Sequence, residues 1–167
     1  AWGGLGFDLK WNIGWMNDSL SYMSTDPLNR KCYHDQLLAT YDRAFDERTI
    51  LPLSHDEVVH EKKSLYSKMP LSSELKLAQL RLYYSYVMAH PGKKLFFMGL
   101  ELAQEEEWCF KKELPWNSLR DKEKQQFHSF IRLMNQLYLK TPSLWERDFT
   151  KKGFEWIDYR DYNHSII

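Results

Sequence analysis

Thr49-Ile50-Leu51-Pro52-Leu53-Ser54-His55-Asp56-Glu57 is a short apolar run that opens directly into a serine, a histidine and two carboxylates. Four to eight apolar, partly β-branched residues followed by polar ones read as a buried strand ending in a chemically rich loop. Downstream, Ser72 or Ser73 is placed to cap a helix that runs to about Ala89, where His90-Pro91-Gly92 stops it. The motif then repeats. Lys94-Leu95-Phe96-Phe97-Met98-Gly99 is a second apolar run, opening into the acidic stretch Glu101 to Glu107. A helix follows, on which Phe127, Phe130, Ile131, Met134, Leu137 and Tyr138 make one apolar stripe before Thr141-Pro142.

Upstream, Phe7 to Ile13 alternates apolar and polar residues, which predicts a short strand ending at Gly14. Met16, Leu20 and Met23 then share one helix face, and Asp26-Pro27 ends that helix. Residues 28 to 48 read as a long connection with helical spacing around Leu37 to Phe45, and long connections in compact domains tend to carry function. Strand, polar loop, helix in succession is the pattern of a parallel sheet covered by helices. The fold class expected is α/β: the C-terminal part of a (β/α)8 TIM barrel over residues 1–144, whose functional loops lie at the carboxyl ends of the strands. From Gly153 the pattern changes to Phe154-Glu155-Trp156-Ile157-Asp158-Tyr159, a polar turn and Ser165-Ile166-Ile167. This reads as a hairpin, so residues 145–167 are expected to begin an all-β domain.

With 23 Lys plus Arg against 23 Asp plus Glu among 167 residues, no global field favours nucleic acid or an anionic surface. A neutral ligand is the default partner, with no nucleic acid and no membrane. The apolar stretch from Leu95 to Leu102 is broken by Gly99 and Glu101 and is far shorter than the ~20 residues that span a bilayer. Cys32 and Cys109 stand apart without metal-binding spacing, which points to a reducing, cytoplasmic setting. Neither Ala1-Trp2-Gly3-Gly4 nor Ser165-Ile166-Ile167 reads as a natural terminus. Aromatic residues make up 16% of the chain, and their flat faces suit either a packed core or the C–H face of a sugar ring.

Three chemistries fit the loop after Leu53. A paired-histidine metal site needs spacing of four on a helix, whereas His55 and His60 are five apart, about 140° off by helical period. A solvated loop with helix-capping acids is the second. The third is glycosyl transfer, in which a carboxylate stabilises an oxocarbenium-like transition state and donors hold the sugar hydroxyls, as His55 beside Asp56 would do.

Ile50 to His60, followed by Lys62-Lys63-Ser64-Leu65, resembles the fourth signature region of bacterial-type glycogen branching enzymes of the alpha-amylase clan. Three further stretches resemble the same family in the same order. They are Gly3-Gly4-Leu5-Gly6-Phe7 with Lys10 to Met16, His90 to Gly99, and Gly153-Phe154-Glu155-Trp156. The resemblance implies an alpha-glucan substrate, no cofactor, no metal, and the remainder of the barrel as structural partner. It implies that Asp56 stabilises the donor sugar at the cleavage point and that His55 binds that sugar's hydroxyls. Glu57 and His60 stand open between glucan contact and loop support, and Trp11, Trp15 and Trp108 between sugar-binding surface and packing. The family's nucleophilic Asp and acid/base Glu match nothing here, so this chain alone is expected to be inactive. The chain departs from the family at Glu61 and Leu100, where Gly and Asn are expected, and at Pro115-Trp116, where Asp-Trp is expected. A hydrolase or debranching enzyme of the same clan, or a non-catalytic glucan-binding module, are the other readings.

Overall fold

A computed structural model of the chain describes residues 5–39, 41 and 44–167. Gly3 and Gly4, which carry part of the first resembling stretch, lie outside the described residues. Strand β1 (Lys10–Trp11) is followed by helix α1 (Ile13–Ser24) and, beyond a 3-10 segment at Pro27–Tyr33, by the short helix α2 (Asp35–Leu38). Strand β2 (Thr49–Leu53), the short helix α3 (Leu65–Lys68) and the long helix α4 (Ser73–Ala89) come next. Strand β3 (Lys93–Phe96) and helix α5 (Lys122–Lys140) complete the regular elements. The three strands form one parallel sheet in the order β1-β2-β3.

β2 is the middle strand, and both of its faces are covered: Leu51 and Leu53 are fully buried on one face and Pro52 is buried on the other. Pro52 sits in this central strand although it has no N–H to donate. The Ile50 carbonyl accepts from the Asn12 N–H at 2.9 Å, so even-numbered positions of β2 face β1, whereas Leu53 faces β3 and accepts from the Phe97 N–H at 2.9 Å. Pro52 therefore points its missing donor toward β1, just beyond the point where that strand has ended. The same geometry shortens β1 relative to the expected Phe7–Ile13. Only Lys10 and Trp11 pair, with Thr49 and Ile50, because Asn12 leaves the sheet to cap α1, its Oδ1 accepting the Trp15 N–H at 3.0 Å.

α1 buries Met16, Leu20 and Met23 on the face anticipated from their spacing. It meets α4 across an aromatic layer: Trp15, 1% exposed, stacks on Tyr83 and Tyr86 at centroid distances of 6.5 and 6.1 Å, and the Ser19 and Tyr83 hydroxyls pair at 2.9 Å. α5 packs on α4 through Phe127 and Ile131, with Phe127 edge-on to Tyr84 at 5.8 Å. The apolar stripe expected on α5 is covered only in its first half; Leu137 remains 53% exposed. Among the described residues no helix is long and apolar enough to cross a membrane.

The hairpin expected after Gly153 is replaced by irregular chain with one isolated antiparallel bridge, Asp161 to Ile166. Two strands alone cannot cover an apolar face, and Ile157 is fully exposed. Residues 145–167 fold back on the helices instead. Phe154 lies 6.1 Å from the His90 ring and 5.3 Å from that of Tyr41, and the His34 Nε2 meets the Tyr159 carbonyl at 2.9 Å.

His90 follows α4 and is 1% exposed, against Trp15 at 5.6 Å and Tyr86 at 5.4 Å. Burial pushes its pKa down to about 3. In the unfolded chain the imidazole takes up a proton near pH 6.5, while the folded form stays neutral, so stability is lost as pH falls from 6.5 toward 3. The slope is at most about 1.4 kcal/mol per pH unit. Denaturation midpoints of wild type and His90→Gln, followed from pH 7.5 to 4.5, should converge on acidification. Parallel curves would remove His90 as the cause.

Candidate functional site: the loops after the second and third strands

Ser54 ends β2 buried, and its Oγ accepts the Asp56 N–H at 3.2 Å, turning the chain into a single 3-10 turn over His55–Glu57. The turn places two side chains side by side at the carboxyl end of the central strand. His55 Nε2 and Asp56 Oδ1 are 3.1 Å apart, with the side chains 51% and 53% exposed. A histidine that donates from Nε2 to the carboxylate keeps Nδ1 as an acceptor for a ligand hydroxyl. The carboxylate retains a free oxygen edge toward solvent.

The wall behind His55 comes from the loop after β3. Phe97 lies 5.8 Å and Trp108 6.5 Å from the imidazole, and the two aromatic rings meet edge to face at 5.1 Å. Gly99, at φ 89°, allows the chain to leave β3 sharply; a Cβ there would come within 2.9 Å of Gln104 Oε1 and 3.0 Å of Leu114 Cδ2. Beyond Trp108 this loop encloses a cleft of about 280 Å³ lined by Gln104, Glu106, Trp108, Cys109, Lys112 and Leu114 among others. Polar groups beside an exposed aromatic edge suit a ligand with both hydroxyls and C–H faces.

Below the pair the loop is held by charge. Lys62 Nζ donates to the Asp56 carbonyl at 2.8 Å. Lys68, at the end of α3, donates to the carbonyls of Glu57 (2.7 Å), Lys63 (2.8 Å) and Lys62. Burial lowers the Lys68 pKa from its ordinary value, opposed by the nearby charges of Glu57 and Glu107.

His55, Asp56 and Trp108 are thus brought together at the carboxyl end of the sheet. Glu57 is half-buried beneath them and His60 is exposed in the loop, in a left-handed conformation at φ 56°. Glu61, where the family resemblance led us to expect glycine, also adopts φ 66°. Trp11 stands apart: it is level with Ile50, three residues or about 10 Å short of the end of β2. Of the two alternatives left open for Trp15 the structure selects packing over a sugar-binding surface, because its ring is sealed between α1 and α4. Among the described residues no three His, Cys, Asp or Glu side chains converge to hold a metal ion. Sequence reasoning missed Phe97, Lys68 and Glu107 as parts of the site. Phe97 was visible only as one letter of an apolar run, Glu107 as a member of an acidic stretch, and Lys68 as a lone charge between Lys63 and Glu74.

The chain matches no protein-family profile. It is 50% identical over 165 residues to the 1,4-alpha-glucan branching enzyme of Protochlamydia amoebophila, covering 99% of the chain and 23% of that protein. It is 49% identical over 166 residues to that of Fusobacterium nucleatum, covering 99% of the chain and 27% of that protein. Against the enzyme of Nitrobacter winogradskyi it is 48% identical over 165 residues, with 99% and 23% covered. The chain spans about a quarter of the length of these curated relatives. Over nearly its whole length, then, it is a homologue of one segment of the 1,4-alpha-glucan branching enzymes.

Proposed function

We propose that this chain is the later part of the catalytic barrel of a 1,4-alpha-glucan branching enzyme, which cleaves an alpha-1,4 link and rejoins the released chain through an alpha-1,6 link with retention. The observation that carries this reading is the His55–Asp56 pair, 3.1 Å apart at the carboxyl end of the central parallel strand and walled by Phe97 and Trp108. Two β-α-β units with their rich loops after the strands support membership of a (β/α)8 barrel, with residues 1–144 in the barrel and 145–167 leading into a β-domain. A cytoplasmic location accords with glycogen synthesis and with two unpaired cysteines.

In this reading a carboxylate nucleophile and an acid/base carboxyl come from residues outside this chain. As the glycosidic bond breaks, positive charge develops on the ring carbon and oxygen of the donor sugar. Asp56 supplies a fixed negative charge at that moment, and His55 accepts or donates to a neighbouring hydroxyl. The Phe97 and Trp108 rings exclude water from one side, favouring a glucan 6-hydroxyl over water as acceptor.

The test is amylose incubated with the chain in its uninterrupted reading frame, followed by iodine colour and by reducing ends. Colour should fall at nearly constant reducing ends. A matching rise in reducing ends would make the protein a hydrolase of the same clan, for which the His55–Asp56 pair would serve equally. Binding of amylose without either change would make it a glucan-binding module.

A further inference from the structure

Immediately after the His55–Asp56 turn the backbone enters a run that resists folding on local grounds. His60, Glu61 and Lys63 all have positive φ, at 56°, 66° and 65°. None is glycine, and each such residue costs of order 1 kcal/mol unless its surroundings impose it. Where positive and negative φ alternate, as over Glu61, Lys62 and Lys63, the N–H groups form a concave nest that attracts an anion.

The nest is already filled. Glu107 reaches across from the loop after β3, its Oε2 accepting the Glu61 N–H at 3.1 Å and its Oε1 accepting the Lys63 N–H at 2.6 Å. On the carbonyl side, Lys68 collects the oxygens of Glu57, Lys62 and Lys63. The adjacent Trp108 N–H donates to the Val58 carbonyl at 2.9 Å, while its ring faces His55. The Ser64 and Ser67 hydroxyls donate to the Glu105 carbonyl at 2.8 and 2.7 Å, so the two loops are laced along their length.

We propose that Glu107 is a positioning residue for the His55–Asp56 pair: its carboxylate clamps the Glu61 and Lys63 amides and so holds the left-handed loop, and the Trp108 ring beside His55, in one arrangement. The proposal rests on the reading that the pair serves glucan cleavage. Glu107 itself touches neither His55 nor Asp56; it acts through backbone. A glutamine in its place keeps the size but offers one good acceptor, and turns an amide N–H₂ toward the second N–H.

The experiment uses the uninterrupted protein with Glu107→Gln, Glu61→Gly and the double variant. For Glu107→Gln, kcat on amylose should fall roughly 10- to 100-fold with KM within about twofold, since small misplacements of a catalytic group cost about that much. Hydrogen–deuterium exchange of the peptide covering residues 57–64 should quicken about tenfold, with the overall melting midpoint unmoved. Glu61→Gly alone should stay within about twofold of wild type, because glycine adopts φ 66° freely. Added to Glu107→Gln it should recover at least about threefold of the lost kcat, a rescue that a merely structural role would not give. Unchanged exchange in Glu107→Gln overturns the clamp whatever the activity. A loss confined to KM with an ordered loop overturns it in favour of direct glucan contact. If wild type acts on amylose in neither way, the functional reading fails, and the exchange comparison still decides the clamp.

Discussion

Asp56→Ala in the uninterrupted protein is expected to lower kcat on amylose about 100- to 1000-fold, the cost of removing one preorganised charge from a developing ionic centre. The carboxylate lies half open in the free chain, where water screens it. On the proposed reading, its full effect appears only when a bound glucan displaces that water and lowers the local dielectric. The loss should therefore fall mainly on kcat, with KM changed much less, because the charge it answers exists only in the transition state. Asp56→Asn, which keeps a hydrogen-bonding oxygen beside His55 Nε2 but not the charge, should be nearly as damaging. Kinetics on amylose with reducing-end and branch-point analysis measures both. A kcat within about threefold of wild type for Asp56→Ala would take Asp56 out of the reacting centre.

The second large effect is on stability. Trp15→Ala removes a ring that is 1% exposed, stacked against both Tyr83 and Tyr86 and in contact with His90. Truncating a buried Trp costs about 3–5 kcal/mol, from lost transfer free energy and from the cavity left when the neighbours cannot collapse. Two aromatic pairs also disappear, each contributing about 0.5–1.5 kcal/mol beyond area burial, so the value should lie at the upper end. Trp15→Phe should lose substantially less, because a smaller ring still fills part of the slot. Denaturant midpoints of the three proteins measure the series, and KM for glucan in Trp15→Phe should match wild type. A Trp15→Ala protein as stable as wild type, or a Trp15→Phe protein with markedly raised KM, would return Trp15 to the list of sugar-contacting residues.

These two residues illustrate how the fold separates its tasks. The layer of α1 and α4 carries the large aromatic side chains that hold the sheet in place. The loops at the carboxyl ends of the strands carry strained backbone and exposed charge, and they are anchored by buried Val58, Leu100 and Leu102 and by charge-assisted hydrogen bonds.

What the sequence alone determined is what depends on neighbours along the chain. β2 matches Thr49–Leu53 and α4 matches Ser73–Ala89, because a short apolar run and a helix bounded by Ser72 and His90-Pro91-Gly92 are local patterns, although the Ser72 side chain makes no capping hydrogen bond. That His55 and Asp56 share one loop followed from their adjacency after a strand end, but the pair was singled out by the resemblance to the branching-enzyme signature region, since spacing alone left a metal site and a solvated loop open. The tertiary structure alone decided which tryptophan is buried and which stands by the site, since Trp15 and Trp108 are the same residue type and only the opposing elements distinguish them. It alone shortened β1, through a capping Asn12 and a proline on the neighbouring strand. It alone disclosed Glu107, which meets the amides of Glu61 and Lys63 from 46 and 44 residues away. A hydrogen bond across that separation leaves no periodicity behind, because it is set by the packing of two loops on adjacent parallel strands.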